Sequence, residues 1–370
     1  MLPSFATAEG TRRYSERFPE LLRADHFRRP QQARGPGELW FSSIGLGTYL
    51  GEAEEAVDRA YITAISGALR CGINVLDTAI NYRHQRSERN IGAAVAALSS
   101  AGELRRDEMI VCTKAGYLSF DRSVPSDPRQ YFLNEYVSKG IIDPAEVAAG
   151  MHCMAPRYLE DQLERSRRNL QLETIDVFYL HNPESQLSEV ERDTFRRRLR
   201  DAFKLLEQFR SEQKIRFYGC ATWNGFRVAP QSRDWLDLAE LVKLAVEIAG
   251  EDHGFRFVQL PLNLAMPEAF ALKNQGKGKS LLEIAEELGV VVVGSATLYQ
   301  GRLTRGLPDF VHSTLETTSD AHAAIQFARS APHLTTALIG MARPEHVRAN
   351  ISAASRTPAS EAKWLKLFER

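Results

Sequence analysis

The chain has no surplus of either charge. Its 47 Lys and Arg balance 47 Asp and Glu, so the formal net charge is zero. Proteins that bind polyanions ordinarily carry a basic footprint. None is present, so nucleic acid is not an expected partner. Long apolar runs are absent as well. No stretch approaches the ~20 residues needed to span a bilayer, so no membrane partner is expected. The N-terminus carries Arg12, Arg13, Glu16, Arg17, Glu20 and Arg23 where an export signal would carry an apolar core. Cysteine is scarce: Cys71, Cys112, Cys153 and Cys220 are the four, with no Cys-x-x-Cys pair among them. A disulfide framework is not expected, and reduced thiols in the cytoplasm are the plain reading. Finally, no Gly-x-Gly-x-x-Gly follows a strand pattern, which removes support for a separate dinucleotide-binding domain.

What is present is a chain of 370 residues, 44% apolar and 25% charged. That length holds two ordinary domains or one large α/β barrel with insertions. Residues 1–37 are rich in Arg and Pro and end in the turn cluster Arg34-Gly35-Pro36-Gly37, so they are expected to be an extension. An amphipathic piece holding Phe18, Leu21 and Leu22 is expected to lie on the outside of the domain. Strand patterns then recur at 39–48, 74–77, 109–113, 175–180, 215–221, 255–260, 290–294 and 335–340. Most are short and nearly continuous in apolar residues, as parallel strands covered on both faces should be. Helical patterns alternate with them at 54–71, 85–99, 157–170, 198–212, 234–249, 279–288, 317–330 and 344–355. Pro344 opens the last of these, where a missing N–H costs least. Eight β/α units predict an α/β fold, a (β/α)8 TIM barrel over 38–370, with a doubly wound sheet as the second choice. One connection is out of scale. About 40 residues follow the third strand, where βα loops usually run ~2–6. This 115–155 insertion carries Tyr117, Phe120, Tyr131, Phe132 and Tyr136, and is expected to cover the active face.

Four residues at or just past strand ends carry the chemistry. Asp77 ends the second apolar run and Tyr82 follows five residues later. Lys114 ends the third run, and His181 ends the fourth. In a parallel barrel these ends share one face. A tyrosine hydroxyl titrates near pH ~10, and an adjacent ammonium favours its phenolate. Lys114 is expected to supply that charge, Asp77 to hold Lys114, and His181 to orient a substrate carbonyl. The four make a proton-donating site that stabilises developing negative charge. It contains no reductant, so hydride has to come from a cofactor. A metal is not expected: only His181 ends a strand in this way, and His152-Cys153 falls inside the insertion.

Asp77-Thr78-Ala79-x-x-Tyr82, followed by Ser87-Glu88-x-x-Ile91-Gly92, resembles the signature of the aldo-keto reductase superfamily. Gly45-Leu46-Gly47-Thr48, Thr113-Lys114, Leu180-His181, Gln259-x-x-x-Asn263, Gln300-Gly301-Arg302-Leu303 and Ile339-Gly340 through Asn350 match its other landmarks, over roughly 38–356. The resemblance implies a barrel that reduces an aldehyde or ketone to an alcohol, or runs the reverse on a sugar or alcohol. Tyr82 would be the proton donor. NADPH or NADH would be the cofactor, held by Thr48, Gln259, Leu298, Gln300, Gly301, Arg302, Gly340, Arg343 and Asn350. Arg343 stands at a helix start, where anions are favoured, and is the candidate for a 2′-phosphate. It therefore inclines the choice to NADP. Tyr49 and Trp223 are the candidate substrate walls, suited to a sugar or a ring-bearing carbonyl. Several positions depart from the pattern. Arg83 replaces the Gly after the tyrosine, where its charge is expected beside the proton donor. Ala221-Thr222 replaces Ser-Asn, Ser295 stands where an aromatic is common, Ala296-Thr297 replaces Ser-Pro, and Gly340 and His346 stand where some members use Lys and Arg. The alternative reading is a cofactor-binding regulatory subunit with little turnover. The oligomeric state is not legible.

Overall fold

The computed structural model describes residues 1–369. Eight parallel strands close into a barrel: β1 (Ile44–Gly47), β2 (Val75–Asp77), β3 (Ile110–Ala115), β4 (Ile175–His181), β5 (Ile215–Ala221), β6 (Phe255–Pro261), β7 (Val291–Ser295) and β8 (Leu334–Gly340). Each pairs with its neighbours in chain order. β8 closes the ring on β1, with Ala337 opposite Ile44 and Gly340 opposite Gly47. The helices that follow are α1 (Glu55–Arg70), α2 (Arg86–Ser100), α3 (Pro156–Leu170), α4 (Arg192–Ser211), α5 (Leu238–Ala249), α6 (Leu281–Glu287), α7 (Asp320–Arg329) and α8 (Pro344–Ala354). This is the expected (β/α)8 architecture. A strand with helices outside and the barrel core inside is covered twice, which is why Val291-Val292-Val293 reads as an unbroken apolar run.

Side chains still alternate along each strand. The inward set includes Val75, Ile110, Cys112, Val177, Tyr179, Phe217, Phe257, Val291, Val293 and Leu338, which form one buried cluster. Stepping two residues further along each strand leads to Asp77, Lys114, His181, Gln259, Ser295 and Gly340. The polar layer of the barrel is thus the next tier above an apolar one.

The expected strand at 39–48 is broken in two. Phe41–Ser42 pairs antiparallel with Phe27–Arg28, and only Ile44–Gly47 enters the barrel. Asn74 makes the corner: its Oδ1 accepts from the Ser42 N–H at 2.8 Å, and its own N–H donates to Ser42 Oγ at 3.1 Å. Residues 1–37 therefore reach the barrel's base. Ala6, Ala33, Leu39 and Phe41 join the interior cluster, and buried Asp176 accepts from the Ala6 N–H at 2.7 Å and from Arg106 at 2.7 Å. Leu21 is buried against the helix layer, with Phe18 and Leu22 packed beside it. Helix limits also shift. α4 starts at Arg192 rather than 198, because polar Arg and Asp on its first turn hide the apolar period. α5 starts at Leu238, where Asp237 caps two backbone N–H groups. The 317–330 pattern becomes α7, and a separate helix, Asp309–Leu315, precedes it.

The insertion packs Tyr136, Ile142 and Cys153 against Tyr158 of α3 in a small buried core. It touches the loop after β2 through Gln85 Nε2, which donates to the Phe120 carbonyl at 3.0 Å. It touches α4 through Arg198, which donates to the carbonyls of Ala145 at 3.1 Å and Glu146 at 3.2 Å.

Candidate active site

Lys114 is the centre of the site. Its ammonium is buried and donates to Asp77 Oδ1 at 2.5 Å, to the Thr78 carbonyl at 2.8 Å and to Tyr82 Oη at a long 3.4 Å. Three oxygens around one ammonium hold it charged: burial opposes the charge, but Asp77 and Tyr82 outweigh it and raise Lys114 above its ordinary value. Burial also pushes the Asp77 carboxyl upward, against the pull of Lys114 and Gln259. Gln259 Nε2 donates to Asp77 Oδ2 at 2.8 Å, so Asp77 is gripped from both sides.

Tyr82 sits in the turn after β2, within reach of His181 (ring centroids 5.7 Å apart) and Tyr49 (5.0 Å). Because Lys114 donates to the phenol oxygen, the phenol's own proton is left for another acceptor. Burial raises the Tyr82 pKa, and the opposing pull of Lys114 does not reverse it. The expectation of a lowered value is corrected on this point: desolvation of the phenolate outweighs the nearby ammonium. His181 is driven well below its ordinary value by burial, with the Lys114 charge adding to it, so its imidazole is neutral.

Arg83 does not face the proton donor as expected. Its side chain turns outward to α1, pairs with Asp58 at 2.7 Å, and donates to the Glu52 carbonyl at 3.0 and 2.9 Å. The cause is local. Arg83, His84 and Gln85 all take positive φ (48°, 55° and 69°), which coils the chain away from the barrel axis just after Tyr82. Glu88, part of the motif that carried the resemblance, is structural. It is buried, accepts from Thr113 Oγ1 at 2.6 Å and from Asn169 at 2.9 Å, and so ties α2 to β3.

Thr48 is buried and its hydroxyl donates to the Asp77 carbonyl at 3.2 Å. Tyr49 beyond it is exposed, as is Trp223 in the loop after β5. Gln300, Gly301 and Arg302 lie exposed in the loop after β7, where Ala296, Tyr299, Gln300 and Gly301 have positive φ, and Leu298 is half-buried there. Gly340 is exposed at the end of β8, close to Leu50. Arg343 is the N-cap of α8 but its side chain caps nothing, and it makes no ion pair with any described residue. Asn350 is buried further along α8. An extended dinucleotide fits these features. An uncapped helix start with a free guanidinium suits a phosphate, and the open β7 loop lies on the same face as Tyr82. The hydroxyls of Thr222 and Thr297, buried and unpartnered at the ends of β5 and β7, are polar groups such a ligand could use.

Glu184 escaped the sequence reading, and Tyr117 was read only as one aromatic of the insertion. Glu184, three positions past His181, accepts from the backbone N–H groups of Trp223, Asn224 and Gly225 at 2.8, 3.1 and 3.3 Å. It fixes the loop that carries Trp223, and burial pushes its carboxyl up to about 7. Tyr117, at the root of the insertion, stands edge-on to His181 with centroids 5.0 Å apart. Among the described residues no group of three His, Cys, Asp or Glu side chains is placed to hold a metal ion, and no helix is long and apolar enough to cross a membrane.

A closed (β/α)8 barrel with a Lys-centred Asp, Tyr and His cluster at its C-terminal face defines a class of barrel oxidoreductases. The chain belongs to the Aldo/keto reductase family, which it matches over residues 43–367. It is 25% identical over 280 residues to the NADH-specific methylglyoxal reductase of Escherichia coli strain K12, covering 73% of this chain and 68% of that protein. Its fold resembles an aldo-keto reductase from Bacillus halodurans in its holo form (TM-score 0.64, 19% identity, 93% of this chain and 95% of that one). It also resembles an aldo/keto reductase from Klebsiella pneumoniae in complex with NADP and acetate (TM-score 0.59, 20% identity, 89% and 91%).

Proposed function

We propose that this protein reduces an aldehyde or ketone to an alcohol with NADPH or NADH, with Tyr82 as the proton donor. One observation carries the reading: Lys114 donates to the Tyr82 oxygen, leaving the phenol proton free on the side of neutral His181. Lys114 and Asp77 hold the phenol in place and stabilise the phenolate left after transfer. His181 donates to the carbonyl oxygen and orients it. Bound reduced nicotinamide supplies the hydride that these side chains lack. The same residues run the reverse reaction on an alcohol or sugar. The β7 loop and Arg343 are the dinucleotide seat, and the free Arg343 favours NADP. The complex of the Klebsiella protein supports NADP, while the name of the Escherichia coli relative supports NADH.

The substrate enters over an apolar rim. Of seven exposed large hydrophobic residues among the described ones, six (Tyr49, Leu50, Val124, Leu133, Met151 and Trp223) lie in loops after β1, β3 and β5, and Met1 lies elsewhere. Such a rim suits a carbonyl compound with an apolar ring or chain. We read 115–155 as the cover on this face of the single barrel domain, residues 1–37 as its base, and the four unbridged cysteines as the mark of a cytoplasmic protein. The test is fluorescence titration with NADPH and NADH, followed by turnover on a panel of carbonyl compounds. The wild type should bind and oxidise cofactor, and Tyr82→Phe should bind but not turn over. A wild type that binds cofactor without turnover on any carbonyl or alcohol overturns the enzyme reading in favour of a regulatory subunit.

A further inference from the structure

An imidazole that orients a substrate is usually steadied by a group on its other nitrogen. Nδ1 of His181 is buried and has no hydrogen-bond partner among the described residues. Its angle must be set another way. The His181 carbonyl oxygen lies 2.7 Å from Nε2 of His152, which comes from the far end of the insertion and is 1% exposed. The tautomer is fixed by what lies behind it. Gln186 Nε2 is 2.8 Å from His152 Nδ1 and also donates to the His152 carbonyl at 3.0 Å. An amide nitrogen only donates, so Nδ1 accepts and the proton sits on Nε2, aimed at His181. The Gln186 amide cannot be reversed, because its Oε1 accepts from Arg198. Arg198 in turn holds the insertion backbone at Ala145 and Glu146. The chain of donors therefore runs Arg198, Gln186, His152, His181.

Close approach makes this contact specific. A Cβ on Gly116 would lie 2.7 Å from both His152 Nε2 and the His181 carbonyl, and φ there is +153°. Only glycine lets the two residues meet. The Tyr117 ring packs against both, edge-on to His152 at 5.2 Å and to His181 at 5.0 Å. Its hydroxyl accepts from Asn182 Nδ2 at 2.9 Å, one residue beyond His181.

We propose that His152 is a positioning residue for His181: its Nε2–H fixes the His181 carbonyl, and with the Tyr117 ring it sets the imidazole against Tyr82. The long insertion then supplies the support that the buried Nδ1 does not receive. The His152 imidazole is pushed down to about 4, with burial the main cause, so it stays neutral at working pH and its Nδ1 keeps accepting from Gln186. The proposal rests on the reductase reading.

The test compares His152→Phe, which keeps an aromatic ring without its donor, with His152→Gln, whose amide can donate to His181 and accept from Gln186. Misplacing a reacting group by about 1 Å can cost ~100-fold in rate. His152→Phe should lower kcat by roughly 10- to 100-fold at unchanged NADPH affinity and raise the primary deuterium isotope effect with deuterated NADPH. His152→Gln should recover most of kcat. A crystal structure of His152→Phe should show the His181 ring shifted from its 5.7 Å relation to Tyr82. Wild-type kcat and isotope effect in His152→Phe would overturn the proposal. So would an unmoved His181 ring, including where the wild type itself fails to turn over and the reductase reading falls separately.

Discussion

Lys114 Nζ lies 2.5 Å from Asp77 Oδ1, and both side chains are almost fully buried. Removing one member of such a pair leaves the other charge in the interior, which typically costs about 3–5 kcal/mol. Gln259 then remains as the only side-chain donor to Asp77 among the described residues. Lys114→Met should lose carbonyl reduction and lower the unfolding free energy by about that amount. Adding Asp77→Asn should restore part of the stability and none of the activity, because it removes the stranded charge but not the need for Lys114. Chemical denaturation and steady-state kinetics on the single and double variants check this. A Lys114→Met protein as stable as wild type would show that the pair is not ionised.

As the proposed donor Tyr82 must be protonated, and burial holds its pKa above the ordinary ~10. Loss of the proton at high pH is therefore the event that stops reduction. The kcat for carbonyl reduction should be level from about pH 6 to about pH 9 and fall only beyond the ordinary tyrosine range. The kcat for alcohol oxidation, which needs the phenolate, should climb with pH over the same interval. Profiles in both directions read the two limbs. A reduction kcat that falls between pH 7 and 8 would assign the proton to another group.

Much of this site can be read from the chain because parallel barrel strands are short apolar runs, and Asp77, Lys114 and His181 each stand where such a run stops. The remaining features depend on contacts that no local pattern encodes. Gln259 reaches Asp77 only because β6 and β2 present the same tier of an interior closed by eight registers. His152 reaches His181 only because the insertion folds back at Gly116. The turn after Tyr82 sends Arg83 toward Asp58, and nothing in Tyr-Arg-His-Gln foretells three consecutive positive φ angles. The corner at Ser43 was hidden for the opposite reason. Apolar residues lie on both sides of the short Ser42-Ser43 pair, while the Asn74 side chain that makes the turn lies 31 positions on.

Glu184 is a buried carboxyl raised from 4.5 to about 7, with burial as the main cause and three backbone N–H groups opposing it. A carboxyl raised on folding favours the folded state most where it is protonated. Its contribution is complete below about pH 4.5 and is lost as pH rises through about 7, an amount of about 3 kcal/mol. Glu184→Gln keeps an acceptor for Trp223, Asn224 and Gly225 but does not titrate. The stability of wild type relative to this variant should therefore fall between pH 4.5 and 8, measured by denaturation at each pH. A constant difference across that range would show that Glu184 is ionised throughout.

Arg343 is the residue proposed to distinguish the two dinucleotides. It caps the start of α8 without using its side chain and makes no ion pair with a described residue, so its guanidinium is free for a ligand. NADPH carries one more phosphate than NADH, and a charge-assisted hydrogen bond to it is worth about 1.5–3 kcal/mol. Arg343→Ala should therefore weaken NADPH roughly 10- to 100-fold and leave NADH nearly unchanged. The NADPH affinity should also fall with added salt in the wild type and less so in the variant, because an exposed ion pair is screened. Fluorescence titrations with both cofactors at two salt concentrations measure all of this. Equal weakening of both cofactors would place Arg343 on the shared pyrophosphate. No weakening of either would place the 2′-phosphate elsewhere on the β7 and β8 loops, with Arg302 the next cation to test.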